Sequence, residues 1–205
     1  MRALPSNITT KLIDAEIARL AANHSVDHPD FDKVAARVFS QSLQKGVGSA
    51  FAASMKRAHD HTYEGKPCPL VDEAFYREVE AHKEVLDEAI CPDRDALLTY
   101  FGLRTLCRSY LLKSNDGNEY FETPQYLFLR VACGINIVGG KLDMENALRT
   151  YEAMSTLKYT HATPTLFNAG TPRPQLSSCF LLTMKEDSID GIFETIHKIF
   201  LIFNF

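Results

Sequence analysis

The 205-residue sequence has no C-x-x-C pair among its five cysteines, Cys68, Cys91, Cys107, Cys133 and Cys179. The missing pair and the odd count argue against a zinc ribbon or a disulfide framework, and no metal site is expected. Basic charge is not in excess, since 22 lysines and arginines face 26 acidic residues for a net charge of −4. A broad electrostatic grip on nucleic acid needs the opposite sign, so no nucleic-acid partner is expected. A small phosphorylated ligand makes no such demand. The N-terminus MRALPSNITTKL lacks the apolar stretch of a secretory signal. The apolar run Ile199–Phe203 falls far short of the roughly 20 residues of a membrane span. No membrane partner is expected, and a reducing, cytoplasmic setting is. The acceptor-type triplets Asn7-Ile8-Thr9 and Asn23-His24-Ser25 then read as chance matches. Internal repeats and low-complexity tracts are also missing.

What is present suits a chain that buries a core: 45% hydrophobic and 23% charged residues, enough for one ordinary domain or two small ones. Leu12, Ile13, Ile17 and Leu20 stand at helical spacing over residues 9–22. Pro29-Asp30 opens a second helix with Phe31, Val34, Ala35, Val38 and Phe39 on one face, ended by Gly46 and Gly48. A third helix is expected over about residues 49–60, and TYEGKPCPL reads as a loop. Residues 72–90 predict one or two amphipathic helices, and a longer one runs from about Asp95 to Arg108. Asp116-Gly117 between two strand-like runs, 110–113 and 119–122, predicts a β-hairpin. Thr123 as N-cap with Pro124 behind it starts the next helix sharply. Gly139-Gly140 closes that unit, and Asp143 caps a helix reaching about Lys158 with Leu148, Tyr151 and Met154 on its buried side. THATPTLFNAGTPRPQ reads as a loop too long to be a mere connector. LSSCFLLTM reads as a strand, and Asp187 or Ser188 as the cap of a final helix. The fold class expected is mainly helical with one hairpin.

Three pieces carry candidate chemistry: the segment 163–170, Ser177-Ser178-Cys179, and the helix start Asp187-Ser188-Ile189. Exposed amides and hydroxyls in a loop are suited to phosphate oxygens, and a cysteine on a strand edge is both rigid and reachable. An acidic-polar helix start is suited to ribose hydroxyls, while its amides favour anions. Each piece also has a plain structural explanation. A free cysteine often acts as a small buried hydrophobe. Asp187 and Ser188 serve equally as a helix cap, and Thr163, Pro164 and Thr165 as turn formers. His24 with His28, and His59-Asp60-His61, read as helix-end residues rather than metal ligands. Cys68, Cys91, Cys107 and Cys133 read as packing residues. His161 is weighed as a phosphate contact, and loop packing is preferred.

The stretch 159–191, THATPTLFNAGTPRPQLSSCFLLTMKEDSIDG, closely resembles the large subunit of class I ribonucleotide reductases. So do Tyr100-Phe101-Gly102-Leu103, Arg108-Ser109-Tyr110-Leu111-Leu112, Thr123-Pro124-Gln125 and Arg130-Val131. HPDFDKVAAR (28–37) looks like the end of that family's ATP-cone region. The resemblance covers about residues 10–195. It implies a remnant of the ATP cone over 1–47, a helical domain over 48–175, and over 176–205 the first strand and helix of a ten-stranded α/β barrel.

The activity implied is reduction of ribonucleoside diphosphates by a thiyl-radical mechanism. Cys179 matches the first member of the redox pair that an external dithiol of thioredoxin or glutaredoxin type regenerates. Thr163 and Ser178 match substrate-contacting positions. Asp187, Ser188 and Ile189 match the site of a nucleoside triphosphate effector. The partners implied are the ribonucleoside diphosphate, a small radical-generating subunit and a second copy of the large subunit.

The sequence departs from the family's pattern at both ends. The ATP cone's nucleotide-binding beginning has no counterpart, which puts control by ATP and dATP in doubt. The second redox cysteine, the radical cysteine and the barrel's acid/base residues have none either, so this chain by itself is expected to be inactive. HKIFLIFNF stands where small residues are expected, an apolar, β-prone run that is an aggregation hazard if exposed. A rival expectation is a non-catalytic helical module that binds a nucleotide or a partner subunit.

Overall fold

The computed structural model describes residues 8–203; Asn7 of the first acceptor-type triplet and the terminal Asn204-Phe205 lie outside them. Among these described residues ten α-helices follow one another, joined by short turns and small hairpins. The first is α1 (Thr10–Asn23), started by Thr9, whose hydroxyl accepts from the Leu12 amide at 3.3 Å. It packs along α2 (Asp30–Val47). The expected apolar stripe on α1 is not buried: Leu12, Ile17 and Leu20 stay about half exposed, and Ala18 alone is sealed. A helix with one main helical neighbour covers a narrow seam, and here that seam admits alanine. The face expected on α2 shifts for the same reason. Phe31 and Val34 are exposed, whereas Ala35, Ala36, Ser40, Leu43 and Val47 are buried. Gly48, at φ 100°, stops α2, while Gly46 lies inside the helix.

After α3 (Phe51–His59), the segment expected to be a loop forms a hairpin, β1 (Thr62–Tyr63) against β2 (Lys66–Pro67). Glu64 and Gly65 both take positive φ, the tight turn that matches strand twist. Next come α4 (Glu73–Ala81), capped by Asp72, and α5 (Lys83–Ala89). The single helix expected from Asp95 is broken. A 3-10 turn spans Pro92–Leu97, and α6 (Tyr100–Ser109) starts afresh where the Thr99 hydroxyl accepts from Gly102 N–H at 3.0 Å.

The hairpin expected over 110–122 is reduced to one bridge, Lys113 with Tyr120. Its ladder stops because the Glu122 carboxylate, not a strand carbonyl, takes the Leu112 N–H at 2.8 Å. A second small hairpin, β3 (Ile137–Val138) with β4 (Lys141–Leu142), turns at Gly139-Gly140, so the described residues hold two hairpins that the sequence does not predict, beside the single bridge of the one it does.

The core gathers around α7 (Pro124–Ile135), which Thr123 caps as the sequence predicts. Every residue from Pro124 to Cys133 is buried, as befits a helix apolar nearly all round at the centre of a bundle. Phe51 and Met55 of α3, Phe75 and Val79 of α4 and Leu86 of α5 belong to its cluster. So do Tyr151 and Met154 of α8 (Met144–Ser155), the helix that Asp143 caps. Beyond α8 lie α9 (Thr163–Asn168), within the stretch expected to be all loop, and α10 (Ile189–Phe203). Leu176–Met184 forms no strand and bends at Ser178, and Leu181 is 98% exposed. A strand exists through hydrogen bonds to a neighbouring strand, and among the described residues none lies beside this segment.

Candidate ligand cleft around Ser178 and Cys179

α9 is short, and its placement is set by a charged residue sealed inside α7. Arg130 is fully buried and pairs with the equally buried Glu122, Nε to Oε1 at 2.5 Å and Nη2 to Oε2 at 3.3 Å. The rest of the guanidinium serves α9: Nη1 donates to the Ala169 carbonyl at 2.6 Å, and Nη2 to that of Leu166 at 3.1 Å. Arginine's planar fork makes these bonds with one side chain, which lysine's single ammonium does not.

Two glycines complete the joint. A Cβ on Gly134 would stand 2.5 Å from the Gly170 nitrogen, so α7 meets the end of α9 at backbone contact. Gly170 has φ 77°, and its carbonyl accepts from the Asp72 amide at the start of α4, at 2.9 Å.

From this joint the chain returns alongside α9. Asn168 Nδ2 donates to the Gln175 carbonyl at 2.7 Å, and the Thr165 hydroxyl to that of Leu176 at 3.3 Å. The Gln175 side chain accepts from Ser177 N–H at 2.9 Å. Ser177, Ser178 and Cys179 thereby line a cleft of about 760 Å³, walled by Pro164 and Asn168 of α9 and by Ile199 and Ile202 of α10. Such a volume suits a ligand of nucleotide size.

Of the site residues expected from sequence, Ser178 and Cys179 share this cleft. Thr163 does not line it. It sits one residue from Pro164, where its hydroxyl lies 3.1 Å from that of Tyr110 and the Tyr110 ring packs on Phe167 at 4.8 Å. Asp187, Ser188 and Ile189 are also away from the cleft. The Ser188 hydroxyl accepts from Gly191 N–H at 3.0 Å, the expected cap, and Ile189 is exposed. Lys185 and Lys198 both clasp Glu194 of α10, at 3.0 and 2.8 Å, and hold its carboxyl down to about 2.

Cys179 is exposed, Cys68 and Cys91 are half-buried, and Cys107 and Cys133 are buried. Burial pushes both buried thiols up to about 12. His161, half-buried, is pushed below its ordinary value by burial and lies against Tyr159. His24 and His28 face Asp27 and Asp30, while His59 faces both Asp60 and Glu73. Among the described residues no group of three or more His, Cys, Asp or Glu is placed to hold a metal ion. None of their helices is long and apolar enough to cross a membrane.

Residue-by-residue reading of the sequence missed Glu122, Gly134, Gly170 and the structural use of Arg130. The signal was there in part: Arg130 is the lone charge in the otherwise apolar helix YLFLRVAC, and such a charge is buried only if paired.

Residues 96–174, from within the 3-10 turn to six residues past α9, match the family model described as "Ribonucleotide reductase, all-alpha domain". The ribonucleoside-diphosphate reductase large chain of Schizosaccharomyces pombe is 46% identical over 191 residues, 92% of this chain and 23% of the relative. Large chain 2 of Saccharomyces cerevisiae is 44% identical over 195 residues, 94% of this chain and 22% of the relative. The large subunit of Caenorhabditis elegans is 43% identical over 201 residues, 97% and 25%. The chain thus spans about a quarter of the length of the curated relatives it matches. Matched along nearly its whole length to these proteins, and through its central helices to their all-α domain, the chain belongs to the ribonucleotide reductase large-subunit family.

Proposed function

We propose that the chain supplies one wall of a ribonucleotide-reducing active site, with ribonucleoside diphosphate as substrate and deoxyribonucleoside diphosphate as product. The observation that carries this reading is the cleft in which Ser178 and Cys179 face α9. In the reaction a thiyl radical removes the 3′ hydrogen and the 2′ hydroxyl leaves as water. Two thiols then become a disulfide, giving up two electrons and two protons. Cys179 is one of that pair, and an external dithiol of thioredoxin or glutaredoxin type restores it. The other four cysteines do not line the cleft, so the partner thiol and the radical thiol come from outside these residues. Ser178 and Thr163 contact substrate, Thr163 from the rim. The continuation of 176–205 is a ten-stranded α/β barrel, and a small subunit generates the radical.

Asp187, Ser188 and Ile189 form the site of a nucleoside triphosphate effector, at a surface where two large subunits meet. Its support is the exposed stripe of Ile189, Ile192, Phe193, Ile196 and Phe200 along α10, wider than a lone surface helix carries. A cytoplasmic setting fits this chemistry.

The test replaces the matching 191 residues of the S. pombe large chain with this chain and adds a small subunit, substrate and dithiol. Deoxyribonucleoside diphosphate should form, and Cys179→Ser should abolish dithiol-driven turnover without altering the thermal melt. Undiminished turnover by Cys179→Ser overturns the proposal.

A further inference from the structure

The hydroxyls of Tyr110 and Thr163 lie 3.1 Å apart, with one hydrogen between them. Tyr110 follows α6 and Thr163 is the first residue of α9, so the bond joins two elements 53 residues apart in sequence. The Tyr110 ring is held independently by Phe167, one turn along α9 from Thr163. A phenol O–H is a stronger donor than an aliphatic alcohol, and an alcohol oxygen is the better acceptor. The favoured arrangement therefore has Tyr110 donating to Thr163 Oγ1. Thr163 then keeps its own hydrogen free, and that hydrogen points away from Tyr110. Donation into an oxygen also polarises its O–H, so the second bond in such a chain is strengthened. The adjacent residue, Pro164, forms part of the cleft wall, so the Thr163 hydroxyl stands one residue from that wall.

We propose that Tyr110 is a positioning residue for ligand binding, fixing the Thr163 hydroxyl as a donor toward an anionic oxygen such as a substrate phosphate. This rests on the reading of the cleft as a ribonucleoside diphosphate site. Tyr110 acts through Thr163 and has no bond of its own to the ligand. Tyr110→Phe keeps the ring and its packing on Phe167 and removes one oxygen, so the fold is retained.

The experiment titrates uridine diphosphate by calorimetry into the S. pombe large chain whose matching 191 residues are replaced by this chain, for wild type, Tyr110→Phe, Thr163→Val and the double variant. Tyr110→Phe should weaken binding about three- to tenfold, the effect of one neutral hydrogen bond, with an unchanged thermal melt. In the Thr163→Val background the same change should have less than about a twofold effect, because residues acting through one another are not additive. Unchanged binding by Tyr110→Phe overturns the proposal, as does full additivity, which means a separate contact. Tighter binding by Tyr110→Phe also overturns it, since Thr163 then donated inward. Absence of binding by the chimera without these substitutions fails the cleft reading and the proposal with it, whereas its binding with any of the three contrary results fails the proposal alone.

Discussion

The guanidinium of Arg130 donates to the carbonyl of Ala169 across 2.6 Å, thirty-nine residues apart in the chain, and both residues are fully buried. That bond, with the Glu122 pair behind it, connects the interior of α7 to the segment that presents Ser178 and Cys179. Charge is costly to bury, but Glu122 neutralises Arg130 and also takes the Leu112 amide. Breaking one partner of such a pair is far costlier than never having had it.

Arg130→Met leaves Glu122 buried without its cation and deprives the Leu166 and Ala169 carbonyls of their donor. The expected loss is about 3–5 kcal/mol of unfolding free energy, read from the urea midpoint. A loss below about 1 kcal/mol would mean that the joint is held by packing alone.

Gly134→Ala puts a methyl group 2.5 Å from the Gly170 nitrogen and 2.8 Å from the Ala169 carbonyl carbon. Backbone cannot swing aside as a side-chain tip does, so the helices must part, at about 1–3 kcal/mol. Hydrogen exchange should speed up first at residues 165–178 and leave α1 and α2 unaffected. Uniform acceleration would contradict this placement.

His59 directs one ring nitrogen to Asp60 at 3.0 Å and the other to Glu73 of α4 at 2.8 Å. Carboxylates accept only, so both bonds at once require the doubly protonated ring. Asp60 first, then Glu73, raises the His59 value above the ordinary one in the folded chain. A raised folded value means stability fully present below the unfolded value, about 6.5, and lost as pH rises through the folded value. The melting temperature of wild type should exceed that of His59→Gln at pH 6, with the gap closing toward pH 8. A gap that widens with pH would show the opposite linkage.

The cysteines should separate by accessibility when the native chain meets iodoacetamide at pH 8. Cys179 is exposed and should alkylate first, while Cys107 and Cys133, buried and pushed up to about 12, should wait for unfolding. Mass spectrometry of peptides against time gives the order, and early labelling of Cys133 would refute the packing of α7.

In the S. pombe chimera, Asp187→Ala should weaken nucleoside triphosphate effector binding and effector-dependent dimerisation together, because linkage is reciprocal. Size-exclusion and equilibrium-binding measurements that both match wild type would remove the effector assignment.

The helix starts at Thr123 and Asp143 were legible because a cap bond joins residues three apart, and no distant part of the chain is needed to make it. Gly139-Gly140 was legible as a break for a similar reason, since positive φ is a property of the residue itself. The motif around Ser178 and Cys179 likewise stood out in the sequence. Tertiary structure decided what depends on neighbours. The apolar spacing of Leu12, Ile17 and Leu20 fixed a helix but not whether anything would cover it, and α2 covers little more than Ala18. Leu176–Met184 has strand composition, yet a ladder needs a second strand beside it. Glu122 stands only eight residues before Arg130, but Arg130 meets Ala169 and Gly170, some forty residues on, only once α7 and α9 are packed. Local bonding could be read from residue order, whereas burial, strand pairing and the buried charge pair required the folded chain.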